Sequence, residues 1–208
     1  MARYNDAVCR LCRRNGEKLF LKGERCFSPK CAMERRPTPP GQRSPRRRKV
    51  SDRGMQLREK QKARQTYGLL ERQFRRVYKE AVRRNGATGE NLLTMLEMRL
   101  DNAVYRAGLA ESRAQARQVV LHGHITLNGH KADIPSIEVV SGDKIGWSDR
   151  GKRSKFFEMV KQWQGARPVP GWIHVDPASL EGEVIGLPAR GEIDARFDEN
   201  LIIEYYSR

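Results

Sequence analysis

Arg99-Leu100-Asp101-Asn102-Ala103-Val104-Tyr105-Arg106-Ala107-Gly108 is the stretch on which the reading of the fold turns. Leu100, Ala103, Val104 and Ala107 recur at helical spacing, and Gly108 is a stop. Ser112 follows as an N-cap, with Gln115 three residues on to complete a capping box. The next helix is expected from Arg113 to His122, with Ala116, Val119 and Val120 toward the core and Arg113 and Arg117 one turn apart on another face. Two arginines at that spacing repel in a free helix and become favourable beside a phosphate backbone. Gly123 closes the helix, His124 to Leu127 alternates as a strand, and Asn128-Gly129 is a type I′ hairpin signal. A second strand runs through Ala132 and Ile134 to Pro135, and Ser141-Gly142-Asp143 turns into Lys144-Ile145-Gly146-Trp147. Two short helices and a small sheet make a module whose Arg, His and Asn side chains converge at the helix–hairpin junction. Basic modules of this kind suit bulges, loops and junctions of RNA.

Upstream, Ser51-Asp52 offers a helix start, and Gln56 to Tyr67 reads as a helix stopped by Gly68. Leu70, Phe74, Val77 and Ala81 then recur at steps of four, three and four, an amphipathic helix with one core-facing stripe. Arg72, Arg75, Arg76, Lys79 and Arg83 take the opposite face, flanked only by Glu71 and Glu80. A solvated surface face normally mixes signs, whereas a same-sign stripe costs free energy unless phosphates lie against it. Asn85-Gly86 ends this helix. Thr88 caps the next, whose buried side is expected to continue through Leu92, Leu93, Leu96, Leu100, Ala103, Val104 and Ala107 to Gly108.

Further upstream stand all four cysteines: Cys9, Cys12, Cys26 and Cys31, spaced C-x2-C and C-x4-C with a short loop between the pairs. Each pair supplies two adjacent corners of a tetrahedral thiolate site, and the basic residues around them favour thiolate. Four protein ligands leave no open position, so the site reads as structural. Zinc is the first choice of metal, and a [4Fe-4S] cluster is the alternative that four thiolates also allow. Between the cysteines and the first long helix, Arg35-Arg36-Pro37 leads through Pro39, Pro40 and Pro45 to Arg46-Arg47-Arg48-Lys49. The prolines forbid a helix and the cations repel one another. The segment either lies along a polyanion or is a flexible basic linker or localisation signal.

The 208 residues carry a net charge of +16, with 41 Lys+Arg against 25 Asp+Glu and a hydrophobic fraction of 38%. That excess favours a polyanion as partner. No stretch approaches the ~18 apolar residues of a membrane span, and Met1 to Asp6 has no signal-peptide core. The expectation is one large domain or two small ones, with the basic half on nucleic acid. The tail beyond residue 160, acidic overall, is a candidate protein-facing surface or an ordinary solvated one.

Arg99-Leu100-Asp101-Asn102, Arg106-Ala107-Gly108, Ala116-Arg117-Gln118, His122-Gly123-His124 and Asn128-Gly129 resemble the RNA-binding domain named after ribosomal protein S four. The flanks extend the resemblance to the bacterial small-subunit ribosomal protein S four family over nearly the whole chain: Gln56-Leu57-Arg58-Glu59-Lys60-Gln61-Lys62, Tyr67-Gly68, Gln73-Phe74 and Glu199 to Ser207. The four cysteines resemble its metal-binding branch. The resemblance implies an α+β fold in which a module near 99–165 is inserted into a helical domain, 46–98, completed by 166–208, after a metal knuckle and Pro/Arg segment at 1–45. Trp163 and Trp172, with Ile202, Ile203, Tyr205 and Tyr206, are expected to pack on the helical domain. It also implies a cytoplasmic structural constituent of the small ribosomal subunit, a primary binder of 16S rRNA that nucleates assembly. Further implied are a part in decoding accuracy near the mRNA entrance and neighbours S three and S five.

Similar modules are appended to pseudouridine synthases and a tRNA synthetase, but no residue block here is free to form a catalytic domain. His122, His124, His130 and His174 show no metal or triad arrangement, so neither an enzyme nor a small-molecule substrate is expected. A redox-sensing DNA-binding regulator lacks its helix-turn-helix here. The expected RNA contacts are Arg46, Arg47, Arg48 and Lys49 in the basic segment and Arg58, Lys62, Arg72, Arg76 and Arg83 on the helices. In the module they are Arg99, Arg106, Arg113, Arg117, His122, His124 and Asn128.

Overall fold

The computed structural model describes residues 3–42, 49–163, 165 and 168–207, so the Arg46-Arg47-Arg48 run lies outside the described residues. The chain divides into two units, Met1–Leu92 with Asp194–Arg208, and Leu93–Ile193.

In the first unit α1 (Cys9–Asn15) and α2 (Ala32–Arg35) flank a 3-10 turn at Gly23–Cys26. α3 (Asp52–Thr66) starts on Ser51, whose Oγ accepts from the Gly54 N–H at 3.3 Å. Asn15 Nδ2 donates to Gln65 Oε1 at 2.6 Å, tying the cysteine segment to α3. α4 (Glu71–Arg83) buries Phe74, Tyr78 and Ala81. Phe74 and Ala81 belong to the expected stripe; Leu70 and Val77 are only half-buried, and Tyr78 takes their share. α5 (Thr88–Glu97) begins in the first unit and ends in the second.

The single helix expected from Thr88 to Gly108 is broken at Met98-Arg99, and α6 (Leu100–Arg106) starts afresh. Arg99 is extended, with ψ 138°, and bridges antiparallel to Glu138. The Leu100 N–H donates to the Ile137 carbonyl at 2.8 Å, and the Val139 N–H to the Met98 carbonyl at 2.8 Å. Pairing with a distant segment overrides a local periodicity that stays apolar on both sides of the break.

α7 (Arg113–Leu121) starts on Ser112, whose Oγ accepts from the Gln115 N–H at 3.3 Å. Gln115 Oε1 returns the cap to the Glu111 N–H at 2.7 Å, one residue before the expected position. β1 (Ile125–Leu127) and β2 (His130–Ala132) form the expected hairpin, with positive φ at Asn128 (52°) and Gly129 (79°) as a type I′ turn requires. β3 (Lys144–Trp147) pairs with β1, and α8 (Asp149–Lys152) and α9 (Lys155–Trp163) follow. β4 (Ile173–Asp176) and β5 (Glu181–Val184) complete one antiparallel sheet of order β2-β1-β3-β5-β4.

Those last two strands correct the expected division. β5 covers the edge of β3, which would otherwise present unpaired backbone groups. Trp172, Ile173, Leu180 and Val184 share one buried cluster with Leu100, Val120, Ile125, Ile145 and Trp147, and Trp163 packs against it. The module therefore spans 93–193 rather than 99–165, and 194–208 rather than 166–208 completes the helical unit. Residues 1–45, read as a separate segment, fall in the same unit as α3 and α4. Trp163 and Trp172 belong to the module and not, as expected, to the helical unit.

The expected closing contacts do form. α10 (Glu199–Tyr206) buries Ile202 completely, and the Tyr206 ring stacks on Tyr78 with centroids 4.5 Å apart. Gln56 Nε2 donates to Glu204 Oε2 at 2.8 Å, and the Tyr206 hydroxyl donates to Glu71 Oε1 at 2.7 Å. Burial and that carboxylate hold the Tyr206 hydroxyl well above the ordinary phenol range. Among the described residues no helix is long and apolar enough to cross a membrane.

Candidate nucleic-acid interface

α4 presents the clearest polyanion-facing surface. Arg72, Arg76, Lys79 and Arg83 follow one another at steps of four, three and four, Arg75 lies beside them, and all five are exposed. Arg83 approaches Glu80 at 3.6 Å with its side chain 76% exposed. Among the described residues the other four form no ion pair. Phe74, Tyr78 and Tyr206 fix the helix from behind, so the cations stand on a rigid element.

Arg58 and Lys49 are exposed as well. Lys62 is not: its ammonium sits 2.8 Å from Glu17 and 2.7 Å from Glu59, with the side chain 12% exposed. Burial opposes its charge, but the two carboxylates outweigh burial and raise its pKa. The expected phosphate contact at Lys62 is replaced by an internal ion pair.

In the module, the arginines read as RNA contacts are engaged inside. Asp101 accepts from Arg99 Nε at 3.1 Å and Nη2 at 2.9 Å, and from Arg117 Nη1 at 2.7 Å. All three side chains are 8% exposed or less. Glu97, fully buried, receives a two-pronged grip from Arg106 at 2.8 and 2.7 Å and a bond from Asn102 Nδ2 at 2.7 Å. Arg113 donates to Asn102 Oδ1 at 2.7 Å, and its guanidinium lies 4.7 Å from the centre of the Tyr105 ring. Burying two carboxylates is tolerable only because each is surrounded by donors. Arg117 therefore ties α7 to Asp101 at the start of α6, Arg99 closes on the same carboxylate from the break before α6, and Arg106 and Arg113 engage Glu97 and Asn102. Asn128 is likewise used: Nδ2 donates to Asp143 Oδ1 at 2.8 Å, and Oδ1 accepts from the Lys144 N–H at 2.9 Å, which pins the hairpin.

What the module leaves exposed is His122 and Asn128 from the expected set, together with cations outside it. His122 is exposed at the end of α7, and the His124 ring lies 6.0 Å from it. Burial lowers the His124 pKa, and Arg150 and His122 add repulsion in the same direction. Lys131 passes directly over Gly123, where an added Cβ would clash with its chain. Lys131 thus stands over the glycine between His122 and His124, and Arg150 is exposed in α8, whose segment packs on the His124 carbonyl through the Ser148 N–H. Lys131 and Arg150 escaped the sequence reading, although Arg150, Lys152, Arg153 and Lys155 form a visible basic run.

At the N-terminus Cys12, Cys26 and Cys31 are each 8% exposed and Cys9 is half-buried; all four are free thiols. Burial raises the pKa of Cys12 and Cys26, and repulsion from Cys9 and Cys31 adds to it in both. The Lys22 N–H donates to Cys26 Sγ at 3.3 Å. Among the described residues no group of three or more His, Cys, Asp or Glu is gathered closely enough to form a ligand sphere.

Residues 3–97 match the family model of the ribosomal protein S4/S9 N-terminal domain, and residues 98–145 match that of the S4 domain. The small ribosomal subunit protein uS4 of Acetivibrio thermocellus is 54% identical over 208 residues, covering 100% of both chains. The chain belongs to the ribosomal protein uS4 family. The uS4A protein of Alkaliphilus metalliredigens, 55% identical over 209 residues, and the uS4 protein of Heliobacterium modesticaldum, 53% identical over 208, match over the same full extent. The boundary between the two uS4 family models falls at residues 97 and 98, where α5 gives way to the β-bridge at Arg99. Much of the uS4 signature from Arg99 to Arg117 is therefore the module's internal ion-pair frame.

Proposed function

We propose that this chain is a structural, non-catalytic constituent of the small ribosomal subunit that binds 16S rRNA through two basic surfaces, the α4 face and the His122–Lys131–Arg150 corner of the module. The observation that carries this reading is the same-sign α4 face, four of whose five cations form no ion pair among the described residues, in a member of the uS4 family. Its place is the ribosome in the cytoplasm. Early binding that nucleates assembly, neighbours S three and S five, and a part in decoding accuracy near the mRNA entrance follow from the family resemblance. With roughly 6–10 phosphate contacts, affinity for 16S rRNA falls about 10³–10⁵-fold between about 50 and 200 mM salt. A flat salt dependence in a filter-binding titration would contradict the reading.

The four cysteines fit a metal by donor chemistry and by their paired spacing in the chain. Cys9, Cys12, Cys26 and Cys31 would hold Zn²⁺, with a [4Fe-4S] cluster as the alternative, and the metal would staple a segment too small for a core of its own. Cys12→Ser is expected to abolish stoichiometric metal in the purified protein; metal content equal to that of the wild type would remove Cys12 from the ligand set.

A further inference from the structure

The loop that carries Cys26 also carries Phe27, 70% exposed and the most exposed large apolar side chain among the described residues. Single exposed apolar residues are ordinary, but this one is built in. The Phe27 N–H donates to the Glu24 carbonyl at 2.9 Å, which fixes its backbone. Its ring lies against Phe20, with centroids 4.9 Å apart and planes inclined at 31°. Phe20 is in turn held by the guanidinium of Arg196, 4.4 Å from its ring centre. Phe20 adopts a φ of +50°, a left-handed conformation that bulky residues avoid, so the surrounding contacts enforce this placement. The exposed Phe27 ring thus leans on a Phe20 ring that a guanidinium also covers.

The chain on either side of that ring is cationic. Lys22, Arg25 and Lys30 are exposed and, among the described residues, form no ion pair, against the one carboxylate of Glu24. An exposed, immobilised aromatic ring inside a cluster of unpaired cations is the chemistry of a nucleobase platform: the ring stacks a base while the cations hold the phosphates on either side.

We propose that Phe27 is a stacking site for an unpaired RNA nucleotide, with Lys22, Arg25 and Lys30 binding the flanking phosphates. The proposal rests on the rRNA-binding reading and adds one defined contact to it. The test compares the metal-replete wild-type chain with Phe27→Leu and Phe27→Trp in filter binding to 16S rRNA across a salt series. Phe27→Leu keeps apolar bulk and removes the π face, so its affinity is expected to fall on the order of tenfold with an unchanged salt slope. Phe27→Trp is expected to bind at least as tightly as the wild type. Leucine binding within twofold of wild type, or equal losses in both variants, would overturn the stacking site. Failure of the wild-type chain itself to bind would instead overturn the rRNA reading on which it rests.

Discussion

Replacing Arg72, Arg75, Arg76 and Lys79 together by glutamine is expected to weaken 16S rRNA binding roughly a thousandfold near 0.1 M salt and to make the salt dependence shallower by about 3 in log–log slope. The size follows from the number of cations: each phosphate neutralised releases a counterion, and four exposed, unpaired side chains are removed at once. The fold is not at risk, because Phe74, Tyr78 and Ala81, which bind α4 to its neighbours, are untouched. Removing like charges from one stripe is expected to stabilise the free helix slightly. An unchanged melting temperature with a shallower slope is therefore the expected pair of results. An unchanged slope would move the phosphate contacts off α4 and onto the module corner or the basic N-terminal segment.

Asp101→Asn is the second large effect, and it acts on stability. The carboxylate accepts three bonds from Arg99 and Arg117, and its removal takes away the charge that both nearly buried guanidinium groups grip. Breaking one side of a buried ion pair costs about 3–5 kcal/mol, which for a unit of this size lowers the melting temperature by roughly 10 °C or more. The loss is confined to the 93–193 module, so hydrogen exchange is expected to accelerate there while α3 and α4 stay protected. Arg117→Ala acts through the same frame, and its module is expected to be destabilised as well. A module with unaltered melting and exchange in Asp101→Asn would show that the frame contributes nothing net.

The contrast between these two variants also shows where sequence reading reaches its limit. Ser51, Ser112 and Asn128-Gly129 act within a few residues of themselves, and each performs the local task its type and spacing announce. The α4 face was readable for the same reason, since its periodicity is a property of one helix. The arginines of the module were not. Arg113 and Arg117 show a spacing equally suited to phosphates and to internal carboxylates, and what decides between them is the approach of Asp101 and Glu97 across a turn between helices. The break at Met98-Arg99 and the joining of β4 and β5 to the sheet share that cause, pairing between segments far apart in the chain. Ile173 to Asp176 and Glu181 to Val184 are short alternating runs, and β4 and β5 acquire their meaning only from the open edge of β3. Phe27 carries no pattern at all, because its interest lies in the ring beneath it.

The most direct measurement of the central claim follows the tagged chain through a sucrose gradient of a lysate kept at near-physiological salt. The account predicts that it stays with the small ribosomal subunit at about one copy per particle. Release into the soluble fraction, with the subunits intact, would contradict it.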